Sequence, residues 1–201
     1  MTEMGGAHDA RGPESSRMPI RCAVLTISDR ASRGEYADRS GPEVARILAA
    51  WGWPPEILEV LPDEESRIAD RMAALADSGF DLVVTAGGTG LSTRDRTPEA
   101  TLCAADRLAP GIMEAVRART GALFPRAYLS RGIAAMRGRC LLVNLPGSVR
   151  GAKESIKALA DILPHAIDVL REAPRIEDEH EPRMGPVRHE LPDSTPGALD
   201  Q

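Results

Sequence analysis

The chain has 201 residues, with 25 Lys and Arg against 30 Asp and Glu, and a formal net charge of −5. This length is sufficient for one domain with a buried core, and the acidic balance excludes a basic surface of the kind that holds nucleic acid. No apolar run reaches the thickness of a bilayer and the N-terminus has no secretory pattern, so we expect a cytoplasmic protein that neither enters a membrane nor binds nucleic acid.

The two ends of the chain differ in composition from its middle. Residues 1–18 are rich in Gly, Ser, Arg and Ala without any period, which predicts a disordered leader. Residues 173–201 contain five prolines, three arginines and seven acidic residues, which predicts a disordered acidic tail. One folded domain is therefore expected over residues 19–172. Its three cysteines, Cys22, Cys103 and Cys140, are odd in number and widely spaced, which is typical of buried thiols in a reducing compartment.

The first half of the domain alternates predicted strands and helices. A nearly continuous apolar run over residues 20–27 predicts a strand covered on both faces, and it ends in the polar sequence Ser28-Asp29-Arg30. The sequence Ser40-Gly41-Pro42-Glu43 fits a capping box, so we expect Ser40 to cap a helix that ends near Trp51. A short strand over residues 56–61 follows. Asp63 is then placed as the N-cap of the next helix.

A glycine-rich turn follows the next predicted strand. The β-branched run at residues 82–84 predicts a core strand that stops at Gly87-Gly88-Thr89-Gly90. Glycines permit positive φ angles and a close approach of the backbone to a ligand, and successive N–H groups in such a turn can bind a phosphate oxygen. Thr97 and Pro98 predict the start of another helix, with Thr97 as its N-cap.

The second half of the domain predicts helices over residues 98–105 and 111–120, and then a hairpin made of segments 126–136 and 139–145. A last helix is expected over residues 153–170, with a kink at Pro164. This order predicts an α/β fold with three layers, in which the central sheet is mostly parallel and the hairpin adds antiparallel strands.

Polar or glycine-rich segments end three of the predicted strands, at residues 28–30, 87–97 and 144–148. Parallel strands place their carboxyl ends along one edge, so these segments and the helix start near Asp63 should meet there. Asp63 alone could be only a cap, Asp95 only a solvated charge, and the glycines only a tight turn. Together, and with His165 as the only histidine between residues 19 and 172, they favour Mg²⁺-assisted phosphoryl or nucleotidyl transfer without an imidazole.

The ordered set of short motifs resembles the MogA/MoaB family of molybdenum cofactor biosynthesis, which includes the G domain of gephyrin. The matching segments are Thr26 to Arg30, Asp38 to Pro42, Pro62 to Glu64, Thr85 to Gly90, Arg94-Asp95, Thr97 to Thr101, Leu129 to Gly132 and Asn144 to Gly147. The resemblance implies a molybdopterin-binding fold, usually trimeric. It also implies an adenylyltransferase that uses Mg²⁺ and the substrates ATP and molybdopterin, and that has the downstream molybdate-insertion enzyme as a partner.

The same resemblance implies roles for individual residues. Asp63 and Asp95 match the two aspartates needed for catalysis, and Mg²⁺ binding is assigned to both. The residues expected to bind nucleotide and pterin are Ser28, Asp29, Gly87, Gly88, Thr89, Gly90, Thr97, Pro98, Ser130, Arg131, Asn144, Pro146, Gly147 and Ser148. Val149 stands where many members of the family have proline, which leaves the start of the last helix open. Three alternatives remain: a relative that only binds molybdopterin, a scaffold protein, and a molybdate-inserting enzyme, which normally has a longer chain.

Overall fold

The computed structural model describes residues 18–172. The predicted tail, residues 173–201, lies outside this range, as does the predicted leader apart from Met18, so both stay predictions. Within residues 18–172, no helix combines the length and the apolar character needed to cross a membrane.

A six-stranded mixed sheet forms the centre of the domain. Four neighbouring strands run parallel, and the last two form antiparallel pairs at one edge, in the order β2-β1-β3-β6-β5-β4. The strands are β1 Cys22–Ile27, β2 Ile57–Leu61, β3 Leu82–Ala86, β4 Arg107–Leu108, β5 Ala134–Arg137 and β6 Cys140–Leu145. The mostly parallel sheet and the antiparallel hairpin are thus confirmed.

Helices cover both faces of the sheet. They are α1 Asp29–Ser32, α2 Ser40–Ala50, α3 Glu65–Asp77, α4 Thr97–Ala104, α5 Pro110–Gly121, α6 Val149–Lys157 and α7 Leu163–Glu172, with a 3-10 helix over Pro125–Leu129. Successive strand residues point to opposite faces. Val24 and Val84 therefore pack in one core with α2, α5, α6 and α7, whereas Leu25 and Val83 pack in another with α3 and α4. The predicted three-layer architecture is confirmed.

The predicted cap of α2 is wrong. Ser40 is the first helical residue, and the cap position is Arg39, whose side chain makes no capping hydrogen bond. The Asp38 carboxylate instead accepts from the backbone N–H of Ser40 at 2.9 Å and from that of Gly41 at 3.3 Å. It also accepts from the Thr26 hydroxyl at 2.6 Å, so one charged side chain fixes the start of α2 to the end of β1.

The predicted cap of α4 is wrong as well. Thr97 is the first helical residue, and Arg96 occupies the cap position without a side-chain hydrogen bond. The Thr97 backbone N–H donates to the Gly88 carbonyl oxygen at 3.1 Å. The glycine turn therefore takes the place of a capping side chain at this end of α4.

The second half of the domain also departs from its prediction. The sequence predicts an extended segment over residues 126–136. Residues 126–129 belong instead to the 3-10 helix, and the strand is limited to Ala134–Arg137. The two-residue strand β4 is too short to leave a pattern in the sequence. The single helix predicted over residues 153–170 is two helices, since α6 ends at Lys157 and α7 begins at Leu163. The predicted kink is absent as well, because Pro164 is the second residue of α7, where proline is tolerated.

The cysteines only partly follow the prediction. Cys22 and Cys140 are buried, and burial raises the pKa of each thiol to about 12. Cys103 is exposed, so the expectation that it is buried is wrong. On α4 the buried side chains are those of Thr97, Pro98, Ala100, Thr101 and Ala104, and Cys103 lies outside this stripe.

Val149 is the first residue of α6, at the position where the resemblance implies proline in many members of the family. Ser148 caps the helix, and its Oγ accepts from the Gly151 N–H at 3.1 Å. The Ser148 dihedral angles, φ −74° and ψ 138°, lie in the region that a residue before proline prefers. The helix therefore starts normally without proline.

The substitution Val149→Pro tests this description of the helix start. Because the backbone before it is already compatible and proline is favourable at the first helical position, we expect a gain of about 0.4–1 kcal/mol in the free energy of unfolding. Urea denaturation of the wild type, of Val149→Pro and of the control Val149→Ala measures it. A loss of stability specific to the proline variant would show that the backbone at the start of α6 is not compatible with proline.

Candidate active site

The carboxyl ends of four parallel strands meet at one edge of the sheet. The register pairs Ile27 of β1 with Leu61 of β2, and Ala86 of β3 with Leu145 of β6. The segments that follow these strands are consequently neighbours. The structure thus brings together the predicted polar segments that follow β1, β2, β3 and β6.

The turn after β3 needs its glycines for two different reasons. Gly87 and Gly88 have φ angles of 124° and 61°, which L side chains rarely adopt. Gly87 is also buried against Ile27 at the end of β1, where a Cβ would collide with the Ile27 carbonyl oxygen. Thr89 is buried too, whereas Gly88 and Gly90 are partly exposed. A ligand can therefore reach the turn at Gly88 and Gly90.

Asp63 is held by the neighbouring strand end and not by its own helix. The Asp29 N–H donates to Asp63 Oδ2 at 2.8 Å, and the Asp63 N–H donates to Asp29 Oδ1 at 3.0 Å. The cap position of α3 is Glu64, which makes no side-chain capping bond, so the prediction of Asp63 as an N-cap is wrong. This reciprocal pair leaves Asp63 Oδ1 without a hydrogen bond from Asp29.

Both predicted catalytic carboxylates approach the glycine turn. A Cβ built on Gly88 would lie 3.2 Å from Asp63 Oδ1, and one built on Gly90 would lie 2.7 Å from Asp95 Oδ2. Asp95 Oδ2 also accepts from the Ser92 N–H at 3.2 Å, which orients the side chain within its loop. The absence of side chains at Gly88 and Gly90 therefore lets the two carboxylates pack close to the turn.

The charges at this edge perturb Asp63. Burial raises the pKa of its carboxyl above the usual range, and the negative charges of Asp29 and Asp95 act in the same direction. The hydrogen bond from the Asp29 backbone and the nearby Arg94 act against this rise. Arg94 is exposed and pairs with the Asp29 carboxylate. An additional cation beside these carboxylates would be stabilised by the same electrostatic field.

Thr97 adds an unsatisfied polar atom to the site. Its side chain is fully buried, and its Oγ1 has no hydrogen-bond partner among the described residues. A Cβ on Gly88 would collide with this hydroxyl, so Thr97 Oγ1 lies directly against the turn. Unpaired buried hydroxyls are uncommon in folded proteins and often mark functional positions.

The wall of the site contains a second fully buried polar side chain. The Asn144 amide accepts from the Ile133 N–H at 3.2 Å and donates to Thr85 Oγ1 at 3.1 Å and to Thr101 Oγ1 at 2.9 Å. It is 0 % exposed. These bonds tie β6, β3 and α4 together behind the glycine turn, so in this structure Asn144 orders the wall of the site.

The remaining predicted residues surround the turn. Ser28 Oγ lies 2.9 Å from the Tyr36 hydroxyl, and Ser130 Oγ donates to Thr89 Oγ1 at 3.3 Å. Gly147 packs on Gly87, since a Cβ there would lie 3.1 Å from the Gly87 Cα. The predicted binding residues that are not fully buried are Ser28, Asp29, Gly88, Gly90, Ser130, Arg131, Pro146, Gly147 and Ser148. The buried ones are Gly87, Thr89, Thr97, Pro98 and Asn144.

Two charged residues at the site were not singled out from the sequence. Arg94 pairs with Asp29, and Glu99 pairs with Arg131. Both lie in motifs on which the family resemblance rests. Arg94 is next to Asp95, and Glu99 is next to Pro98. Their partners are distant in sequence, which is why spacing alone did not reveal them.

The oxygen atoms at this edge are suited to Mg²⁺. Among residues 18–172, no three His, Cys, Asp or Glu side chains are grouped so that they could hold a metal ion by themselves. Mg²⁺ in nucleotide sites commonly has only one or two carboxylate ligands and completes its coordination with waters and substrate phosphates. Asp63 and Asp95, which lie beside the partly exposed Gly88 and Gly90, fit that arrangement.

Known sequences and structures match most of this chain. A family described as a probable molybdopterin binding domain matches residues 23–165. The molybdopterin adenylyltransferase of Helicobacter pylori (strain J99) is 36% identical over 154 residues, which are 75% of this chain and 88% of that protein. The molybdopterin adenylyltransferase of Escherichia coli (strain K12) is 39% identical over 145 residues, which are 71% and 74% of the two chains.

Solved structures agree with these relationships. The molybdopterin biosynthesis enzyme MoaB from Thermus thermophilus is 43% identical, with a TM-score of 0.73 over 78% of this chain and 99% of that one. The molybdopterin biosynthesis Mog protein from Mycobacterium ulcerans is 35% identical, with a TM-score of 0.70 over 75% and 99% of the two chains. The resemblance and the fold inferred from the motifs are confirmed, and this chain belongs to the family of probable molybdopterin binding domains.

Proposed function

We propose that this chain is a molybdopterin adenylyltransferase, which joins molybdopterin to the adenylyl group of ATP and releases pyrophosphate. The observation that carries the proposal is the approach of two carboxylates, Asp63 and Asp95, to the same glycine turn. Support for the substrates comes from the 36–39% identical relatives that have this name.

The family resemblance supports further parts of this proposal. We propose that the metal is Mg²⁺, that the protein is a homotrimer in the cytoplasm, and that the molybdate-insertion enzyme is its downstream partner. We also propose that the predicted site residues bind the substrates as the resemblance implies.

The reaction requires no side chain as a base. An oxygen of the terminal phosphate of molybdopterin attacks the α-phosphorus of ATP, a new P–O bond forms, and the bond from that phosphorus to the bridging oxygen breaks. A phosphate monoester is largely ionised at neutral pH, so the nucleophile has no proton to lose to the protein. In residues 18–172 the single histidine, His165, is exposed on α7.

The protein's task is to align two anionic substrates and to offset their charge. The backbone at Gly88 and Gly90 would lie against phosphate oxygens, and Asp63 and Asp95 would hold the metal beside them. When bound there, Mg²⁺ would supply positive charge that offsets the negative charge of the phosphate oxygens. Thr97 Oγ1, buried without a partner among the described residues, is available as a hydrogen-bond donor at the same turn.

Two of the alternatives predict different behaviour. A protein that only binds molybdopterin would need the pocket but not both carboxylates, and a scaffold would need neither. The presence of Asp63 and Asp95 at one turn favours the enzyme.

A product assay tests the proposed function. With molybdopterin, ATP and Mg²⁺, we expect the wild type to form adenylyl-molybdopterin and pyrophosphate in equal amounts. Asp95→Asn keeps an acceptor for the Ser92 N–H, so it should fold normally, still bind molybdopterin, and lose turnover by at least about a hundredfold.

The control for this assay is Asp70→Asn, which removes an exposed carboxylate from α3 and should leave turnover unchanged. Chromatographic detection of product and a pyrophosphate assay give the two readouts. Binding of molybdopterin by the wild type without any product would favour the binding-only alternative, and full turnover by Asp95→Asn would remove Asp95 from the mechanism.

From the raised pKa of the Asp63 carboxyl we expect the stability of the protein to depend on pH. Its pKa is higher in the folded protein than the ordinary value of 3.8, so the folded state holds this proton more tightly than the unfolded chain does. The stability that protonation contributes is fully present below the unfolded pKa and is lost as the pH rises through the folded pKa. At neutral pH the ionised Asp63 therefore makes the fold less stable, a common cost of functional groups.

The variant Asp63→Asn should remove that cost. Its amide oxygen still accepts from the Asp29 N–H, so we expect metal-free Asp63→Asn to melt at a higher temperature than the wild type at pH 7 while losing turnover. The difference in melting temperature should shrink as the pH is lowered towards 4. Calorimetry on both proteins and on Asp70→Asn measures it, and a lower melting temperature for Asp63→Asn at pH 7 would contradict the described environment of Asp63.

A further inference from the structure

Arg131 occupies a position between the 3-10 helix and β5, and its guanidinium faces the loop that carries Asp95. Nε donates to the Gly90 carbonyl oxygen at 2.7 Å, and Nη2 donates to the Asp95 carbonyl oxygen at 2.5 Å. Nη1 donates to Glu99 Oε1 at 2.5 Å, and Nη2 makes a longer bond of 3.4 Å to Glu99 Oε2. One side chain therefore connects both ends of the segment from Gly90 to Asp95 and the first turn of α4.

The loop has few other attachments to the rest of the domain. The bonds within it are local: the Asp95 N–H donates to the Ser92 carbonyl oxygen, and the Arg94 N–H donates to Ser92 Oγ. Residues 91–94 are all exposed. In the ion pairs Arg94–Asp29 and Arg96–Glu65 the arginine side chains are 69% and 45% exposed, and ion pairs with so exposed a member contribute little to holding a backbone in place.

The bonds of Arg131 are of a stronger kind. A guanidinium is a planar fork that makes several charge-assisted hydrogen bonds at once, with little loss of side-chain freedom for each bond. The Arg131 side chain is 34% exposed and that of Glu99 is 26% exposed, so both are partly shielded from water. The hydrogen bond from Arg131 also holds the pKa of the Glu99 carboxyl below its usual range, so Glu99 stays charged and orients Arg131.

The backbone of the same segment strengthens this attachment. The Arg131 N–H donates to the Thr89 carbonyl oxygen at 2.8 Å, and Ser130 Oγ donates to Thr89 Oγ1. Ser130 and Arg131 thus hold the glycine turn and the Asp95 loop from one side. Four such bonds occupy most of the five N–H groups of the Arg131 guanidinium, so this side chain is largely engaged with oxygen atoms of the protein.

We propose that Arg131, oriented by Glu99, is a positioning residue that sets the place of the Asp95 carboxylate relative to the glycine turn. The effect on turnover rests on the proposed function, whereas the attachment of the loop does not. Small displacements of a reacting group lower rates steeply, so the loss of Arg131 should reduce kcat and leave substrate binding nearly intact.

Steady-state kinetics give the first test. For Arg131→Gln we expect kcat to fall by about ten- to a hundredfold, while the KM for ATP changes by less than about threefold. Arg131→Lys keeps the charge but lacks the fork, so its kcat should also fall, and Glu99→Gln should show a smaller fall of the same kind. A rise in the KM for ATP with kcat unchanged, or full activity of Arg131→Lys, would assign Arg131 to phosphate binding and overturn the proposal.

Hydrogen exchange gives a second test that needs no activity. Arg131→Gln should increase amide exchange in peptides that cover residues 90–96, with the exchange of β1 and β6 unchanged, and circular dichroism verifies that the variant is folded. The matched control Arg46→Gln removes an exposed ion pair with Glu43 on α2 and should change neither exchange nor kinetics. Unchanged exchange in residues 90–96 would overturn the proposal, while a wild type without turnover would refute the proposed function and leave this test of the attachment valid.

Discussion

The close packing of the turn after β3 against the end of β1 is the constraint on which the site depends. Gly87 lies against the Ile27 carbonyl oxygen, where no side chain fits, and its N–H donates to the Leu145 carbonyl oxygen of β6. The turn is thereby fixed between two strand ends. Asp29 and Asp63 exchange backbone-to-carboxylate hydrogen bonds beside it, so an acidic group is placed at the turn by the sheet itself and does not rely on a flexible loop.

The site has a buried wall and an exposed loop, and a polar side chain holds each of them in place. Asn144 ties the buried wall together, and Arg131 attaches the exposed loop that carries Asp95. The same region contains two locally unfavourable features, namely the buried Thr97 hydroxyl without a partner among the described residues and the Asp63 carboxyl with its raised pKa. Local costs of this kind are expected where a protein is shaped for a ligand.

The layers of the fold and the common edge could be predicted because buried strands and glycine turns leave strong local patterns, as at residues 20–27 and 82–90. The caps could not. The start of α2 is bound by Asp38, two residues before Ser40, which also bonds with Thr26, and Asp63 bonds with Asp29, 34 residues away, without capping α3. The Thr97 N–H donates to the Gly88 carbonyl oxygen, and Thr97 is the first helical residue of α4. The members of the Glu99–Arg131 pair are 32 residues apart, which is why spacing did not reveal it.

In the proposed mechanism, Asp63 and Asp95 together hold one metal-bound nucleotide beside Gly88 and Gly90. A crystal structure of the complex with Mg²⁺ and a non-hydrolysable ATP analogue tests this most directly. We expect the α-phosphate to lie against the glycine turn, with Mg²⁺ about 2.1 Å from a carboxylate oxygen of Asp63 or Asp95. A nucleotide bound at another edge of the sheet, or a metal ion that contacts neither aspartate, would contradict it.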